Sequence, residues 1–237
     1  MSEPAFAPTD RSQVQRQPIR AAYDEASVFA ILDAAVLAHV AFAVEGQPFV
    51  TPIAFWREDR RLYWHGAATN RTIGALTHGA PACVAVSLLD GFVLAPCGFA
   101  HSMDYRSVVA FGRARLLEGR EAKRRAADAF VERLYPGRAG HLRPATDEEL
   151  DKTAFMEMEI EEASAKARTG GPKALALDEG FPVWSGVLPV ETRIGTPQLD
   201  LGTGAGAMGI STLPPVAEGA RLDAALAEAA AAFATAR

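Results

Sequence analysis

Three adjacent residues, Asn70, Arg71 and Thr72, have side chains that suit an anion. The asparagine can cap a helix, the threonine adds a hydroxyl to its first turn, and the arginine offers a fork of N–H donors that matches phosphate oxygens. An arginine at the start of a helix is otherwise unfavourable, because it meets the positive end of the helix dipole. The residues alone leave two interpretations open, a phosphate site and a solvent-facing arginine.

His65 lies five residues before this group, in the stretch LYWHGAATNR. An imidazole can donate a proton near neutral pH, so His65 is a candidate catalytic residue. A hydrogen-bonding histidine with a structural role at a strand end fits the residues equally well. His39, on an apolar strand, is more typical of a structural residue, and His101, in a polar loop, can line a pocket.

Two other motifs indicate no site. Residues 204–209, GAGAMG, match the pattern G-x-G-x-x-G, but Pro214 and Pro215 follow where a nucleotide-binding helix would have to run. Cys97 and His101 have no second group of ligands nearby. We therefore expect neither a dinucleotide fold nor a metal centre, and both cysteines are expected to be buried free thiols.

The composition limits the classes of protein to consider. The chain has 237 residues, is 49 % hydrophobic and carries a net charge of −5, which predicts one large domain, or one domain with appendages, and argues against nucleic-acid binding. The first residues contain no apolar segment of the kind found in signal peptides, and no apolar run is long enough to span a membrane. We expect a soluble cytoplasmic protein.

The elements that must position these residues are mostly strands in hairpin order. Strands are predicted at 37–44, 49–56, 105–117 and, half-exposed, at 155–160, with turns at Glu45-Gly46 and Asp90-Gly91. Pro52 must mark a sheet edge or a bulge, which would leave backbone groups free for a flat heteroaromatic ring. Helices are predicted at 26–35 after Asp24, at 121–135, after a capping box of Thr146 and Glu149, and at the C-terminus. The pattern predicts an antiparallel barrel decorated with helices.

The segments 38–56, 62–71 and 98–114 together resemble the FMN-binding split-barrel superfamily related to pyridoxamine 5′-phosphate oxidase, and most of all its nitroimidazole-resistance branch. The resemblance spans residues 19–190 and implies a mainly β, antiparallel Greek-key split barrel with helices. It also implies a homodimer with FMN at the subunit interface. Residues 1–18 are expected to form a flexible arm, and residues 191–237 a Gly/Pro/Ala-rich extension with a terminal helix.

The resemblance also implies roles for individual residues. Asn70, Arg71 and Thr72 would hold the FMN phosphate, and His65 with Gly66 would lie beside the flavin. The remaining implied cofactor contacts are Val50, Thr51, Pro52 and Ile53 at the ring edge, Arg106 and Ser107 from the second subunit, and Trp184. Asn70 replaces a common serine and Thr72 replaces a lysine of the vitamin oxidases. Their C-terminal motif for the substrate phosphate is not found, which argues against oxidation of pyridoxamine phosphate.

Two functions follow from this resemblance. The first is an FMN-dependent oxidoreductase that reduces a small organic acceptor, such as a nitro compound or a quinone, with NAD(P)H as electron donor and His65 as proton donor. The second is a non-catalytic binding protein for flavin, haem or deazaflavin. A haem protein of this kind would need an axial ligand, for which His65 and His101 are the candidates.

Overall fold

The computed structural model describes residues 5–173, 176–198 and 217–236, so the glycine motif at 204–209 lies outside the described residues. The helices are α1 (Glu25–Asp33), α2 (Arg71–Leu76), α3 (Arg120–Leu134), α4 (Asp147–Lys152) and α5 (Leu222–Thr235). The strands are β1 (Ala21–Ala22), β2 (Leu37–Val44), β3 (Gln47–Glu58), β4 (Arg61–Ala67), β5 (His78–Leu94), β6 (Ser102–Leu116), β7 (Thr153–Glu159), β8 (Glu162–Arg168) and β9 (Gly186–Pro189). No helix in these ranges has the length and apolar composition needed to span a membrane.

Six antiparallel strands close into a barrel. The strand order runs β6, β7, β4, β3, β2, β5, and a further pairing joins β5 back to β6. One edge of β6 is shared by two strands, because residues 105–111 pair with β8 and residues 114–116 pair with β7. The predicted antiparallel split β-barrel with helices is confirmed.

The barrel interior is filled by alternate residues of these strands. Val40, Trp64, Val84 and Val108 are all buried in one hydrophobic cluster, as the period of two along each strand requires. The predicted helix α1 closes one end of the barrel through Val28, Ile31 and Leu32. Asp24 caps it as expected, since its carboxylate accepts a hydrogen bond of 2.8 Å from the Ser27 N–H.

A second layer covers the outside of β3, β4 and β7. There α3 and α4 pack a smaller cluster of Trp56, Ala126, Leu150 and Phe155. The strand predicted at 155–160 is confirmed as β7, but it is not half-exposed, because this layer buries Phe155 and Glu157 and leaves Glu159 exposed. Even Glu157 is buried, and its carboxylate accepts a 2.6 Å hydrogen bond from Arg115. The capping box of Thr146 and Glu149 at the start of α4 is confirmed.

The predicted turn at Asp90-Gly91 is also wrong. β5 continues through it to Leu94, and Asp90 is an extra residue in the ladder, since Leu89 pairs with Tyr105 and Gly91 with Asp104. Arg106 binds the Asp90 carboxylate, so the residue serves a contact between strands. A Cβ at Gly91 would lie 3.0 Å from the Leu188 carbonyl oxygen, so the glycine permits the close approach of β9.

The predicted C-terminal helix is confirmed as α5, which packs on α1 and α3. One carboxylate, Asp33 at the end of α1, joins the layers: Arg57 of β3 binds it with hydrogen bonds of 2.5 and 3.0 Å. Arg133 of α3 donates to the same residue and to the Leu226 carbonyl oxygen of α5. Burial lowers the pKa of Arg133, and its polar contacts offset that cost.

Residues 5–18 lie against the barrel. Phe6 is buried in the main core beside Phe29, and the Arg60 guanidinium lies 4.7 Å from the Phe6 ring centroid. Further along, Arg11 pairs with Glu162 of β8. The expected arm therefore has contacts that its polar composition did not indicate, and the division of the chain at residue 18 stays a prediction.

Candidate functional site

Asn70, Thr72 and Thr51 join α2 to β3. The Asn70 side-chain oxygen accepts a 2.9 Å hydrogen bond from the Thr72 N–H, which caps the helix. The Thr72 hydroxyl is 2.8 Å from that of Thr51, so the two strengthen the same corner. Gly66 lies beside them, since a Cβ there would be 3.9 Å from the Asn70 amide nitrogen. The structure thus brings together four of the predicted site residues.

Arg71 is exposed at this corner and rests on an aromatic ring. Its guanidinium carbon lies 5.2 Å from the centroid of Phe49, which stacks on Phe42 at 5.6 Å. A cation over a ring face is attracted by the ring quadrupole while its N–H groups still point outward. Among the described residues no carboxylate pairs with Arg71. Its donors are therefore available to an anion from outside the chain.

The first part of β3 forms an open edge next to this corner. Residues 47–54 pair with β2 alone, whereas residues 55–58 pair with β4. The Phe55 N–H donates to the Val36 carbonyl oxygen, so by alternation the backbone groups of Val50 and Pro52 face the unpaired side. The edge predicted from Pro52 is confirmed, and Val50 keeps an N–H and a carbonyl available there. Ile53 is half-buried on the same strand.

Arg106 and Ser107 belong to β6 and pair with the second half of β5, away from the Asn70 corner. Arg106 forks onto Asp90, with a shortest distance of 2.7 Å, and reaches Asp223 of α5 at 2.8 Å. The hydrogen bonds to Asp90 raise the pKa of Arg106. The Ser107 hydroxyl donates to the Lys166 carbonyl oxygen. Both side chains are held within their own chain.

Trp184 precedes β9 and is exposed. Its ring lies over Gly186, where a Cβ would come within 2.9 Å of it. β9 pairs with the last residues of β5, whereas α2 leads into the first, so Trp184 and Asn70 belong to opposite ends of that strand. The expectation that Arg106, Ser107 and Trp184 serve the flavin site stays a prediction.

His65 faces away from the Asn70 corner. Leu62 and Trp64 point into the barrel, whereas Tyr63 and His65 point towards α3. The His65 ring lies edge-on to Phe130 with centroids 4.7 Å apart, and its buried Nδ1 has no hydrogen-bond partner in the described structure. Burial lowers the pKa of His65. The structure therefore does not bring this imidazole together with Arg71, and its catalytic role stays a prediction.

A cavity of about 460 Å³ opens where β2 and β5 part, a volume within the usual range of ligand pockets. The two strands pair only between His39–Ala41 and Cys83–Ala85. Arg106 and Asp223 form part of its wall. The sequence did not reveal this ion cluster, because Asp90 resembled a turn residue and Asp223 is 117 residues from Arg106.

Two solved structures are similar to this chain over most of its length. No curated protein matches the chain. The flavocytochrome Anf3 of Azotobacter vinelandii is 40 % identical, with a TM-score of 0.83 over 90 % of this chain and 100 % of its own. An FAD- and haem-binding protein of Mycobacterium smegmatis is 33 % identical, with a TM-score of 0.79 over 86 % of this chain and 98 % of its own.

A third structure supports the fold alone. It is a candidate 5-nitroimidazole antibiotic resistance protein of Bacteroides thetaiotaomicron, 24 % identical, with a TM-score of 0.53 over 62 % of this chain and 85 % of its own. The family model for pyridoxamine 5′-phosphate oxidase matches residues 24–167, which include the whole barrel from β2 to β7. This chain belongs to the pyridoxamine 5′-phosphate oxidase family.

Proposed function

We propose that the protein is a flavin-dependent oxidoreductase that binds the flavin phosphate at the corner of Thr51, Asn70, Arg71 and Thr72. The observation that carries this proposal is Arg71, whose donors face outward from an aromatic platform without a carboxylate partner in the described structure. The flavin would supply the electron transfer. The chain would hold the phosphate with Arg71 and meet the ring edge with the open backbone of Val50.

The flavin proposed from the sequence is FMN. The Mycobacterium smegmatis relative is named an FAD-binding protein, and the exposed position of Arg71 leaves room on its outer side for the adenylate half. Release of the cofactor by acid and its identification by mass distinguishes FMN from FAD. Either one is compatible with the contacts proposed here, since both carry the same first phosphate.

We also propose that the protein carries haem. This second candidate is favoured by two relatives that match 86–90 % of the chain at 33–40 % identity, one named a flavocytochrome and the other a haem-binding protein. Five histidines are available as iron ligands. A protein with both groups would pass electrons between flavin and haem.

A homodimer is the third part of the proposal. The outer face of the β3–β2–β5–β6 sheet carries mostly apolar side chains that alternate with the core residues. Its members include Leu37, Ala41, Val50, Pro52, Cys83, Ala85, Val109 and Phe111. Leu37, Val50 and Pro52 are exposed, and an apolar patch of this extent is typical of an interface. A second copy would cover it and place its own residues against the flavin.

The absorption spectrum of the purified protein tests the proposal. We expect flavin bands that bleach when NADH or NADPH is added without oxygen, and that return on addition of a quinone or a nitro compound. A haem component would add a Soret band. A colourless protein that takes up neither FMN nor FAD would overturn the assignment, whereas a flavin that no reductant bleaches would leave a carrier without turnover.

A further inference from the structure

We propose that His101 is the protein ligand of the haem iron. This inference rests on the haem binding proposed above and assigns that group to the loop between β5 and β6. The loop runs from Ala95 to His101 and includes a short turn at Gly98–Ala100. The loop supplies an oriented imidazole, and the loop and the adjoining strands β5, β6 and β9 supply exposed apolar side chains. Both features are needed to hold a porphyrin.

The imidazole is oriented by its own backbone. Nδ1 of His101 lies 3.0 Å from the Cys97 carbonyl oxygen. A carbonyl only accepts, so Nδ1 carries the proton and Nε2 presents its lone pair away from the loop. Metal-ligating histidines commonly donate their other ring N–H to such an acceptor, which fixes the tautomer and the ring direction. Within the described residues, Nε2 has no hydrogen-bond partner.

The surroundings of His101 are apolar and exposed. Phe99, two residues earlier, is 98 % exposed. Met103, Phe92 and Leu188 are 52, 46 and 48 % exposed, and they stand in one row because Phe92 pairs directly with both of the others across the sheet. Such a flat group of large side chains is costly to leave in water and suits the face of a planar apolar ring.

The other histidines lack this combination. The His65 ring lies between Phe130 and Phe155, at centroid distances of 4.7 and 5.6 Å, which leaves no space beside it for a porphyrin. Its Nδ1 is buried and has no partner that would orient the ring. His39, His78 and His141 have no ring nitrogen held by a backbone carbonyl in the described structure. Of the two axial candidates indicated by the sequence, the structure favours His101.

The test compares His101→Ala with His141→Ala, a matched loss of an exposed imidazole. The full chain is produced with haem, or reconstituted with hemin, and the Soret band, the low-temperature electron paramagnetic resonance spectrum and the flavin content are measured. We expect His101→Ala to lose the signature of histidine ligation and at least about tenfold in haem occupancy, while flavin stays stoichiometric. His141→Ala should retain both groups.

A further variant, His101→Gly, separates ligation from folding. Free imidazole should restore the parent spectrum in this variant, which a merely structural role of the side chain would not allow. If the parent binds haem and His101→Ala keeps the same spectrum and occupancy, the ligand assignment is wrong and the haem proposal stands. If the parent binds flavin but no hemin, the haem proposal itself is wrong, and the ligand assignment falls with it.

Discussion

Arg71 is held in place by an aromatic ring and not by an acidic partner. The cation–π contact with Phe49 fixes the guanidinium without consuming its hydrogen-bond donors. This arrangement is energetically sensible where an anionic ligand completes the pairing, since an intramolecular carboxylate would compete with that ligand. The unfavourable position of the arginine in the first turn of α2, visible in the sequence, has the same explanation.

Replacement of Arg71 by alanine should weaken flavin binding about ten- to a hundredfold, because a hydrogen bond to a charged group contributes on the order of 1.5–3 kcal/mol. The dissociation constant is measured by the quenching of flavin fluorescence. Arg120→Ala is the control, since it removes an exposed arginine that pairs with Asp147 and Asp151 on α4. Equal affinity in Arg71→Ala and the parent would show that the phosphate lies elsewhere.

His65 has a pH-dependent effect on stability whose sign follows from its position. Burial lowers its pKa in the folded state, so the unfolded chain binds the proton more readily. Stability is therefore unaffected well above the ordinary histidine pKa of about 6.5 and falls as the pH drops below it. The loss levels off once the pH is below the pKa of the folded state.

His65→Phe should abolish this part of the acid sensitivity. As the pH falls from 7 to 5, the parent should lose stability through His65 and the variant should not. The free energy of unfolding of the variant minus that of the parent should therefore increase over this range. Urea denaturation at several pH values measures it. A constant difference across that range would mean that the imidazole is not desolvated by α3.

His65→Ala should retain flavin, and its rate of acceptor reduction tests the proton-donor role proposed from the sequence.

At the scale of elements, local determinants were predictable and distant ones were not. The starts of α1 and α4 were predictable from Asp24 and from Thr146 with Glu149, because a helix cap is built from residues close together in sequence. The burial of β7 could not be predicted, since α3 and α4 come from a separate part of the chain. For the same reason Asp90 resembled a turn, although its partner Arg106 lies in the next strand. Three of the four residues of the proposed phosphate corner, Asn70, Arg71 and Thr72, are neighbours in sequence and were therefore predictable.

Gly112 of β6 lies tightly against the last residue of β7. A Cβ at this position would lie 2.1 Å from the Glu159 carbonyl oxygen, an overlap with backbone that no rotamer relieves. This close approach to the backbone of β7 is the structural reason for a glycine at position 112. We expect Gly112→Ala to lower the free energy of unfolding by about 1–3 kcal/mol in denaturant titrations.

Gly74→Ala in α2 is the matched control for that substitution. Nothing lies within 4 Å of its added Cβ, and a helical alanine is favoured over glycine by about 0.5–1 kcal/mol. The two variants should therefore shift stability in opposite directions. A stable Gly112→Ala protein would mean that β6 and β7 part more easily than their register indicates.

At the scale of the whole molecule, the apolar outer sheet face predicts a dimer. Ala85→Arg places a charge at the centre of that face, beside His39 of β2 and Val109 of β6. We expect sedimentation of the parent as a dimer and of Ala85→Arg as a monomer. Leu142→Arg, at an exposed leucine after α3, should stay dimeric. A monomeric parent would overturn the dimer proposal, whereas a dimer that Ala85→Arg leaves intact would place the interface elsewhere.

Asp33 and Arg133 connect three helices and a strand through shared hydrogen bonds. The single carboxylate of Asp33 binds Arg57 of β3 and Arg133 of α3, and the same Arg133 holds the Leu226 carbonyl of α5. Separation of any one of these elements would leave a buried guanidinium without its partner, which is costly. In hydrogen exchange, the amides of α1, α3 and α5 should consequently open as one cooperative unit at a common free energy.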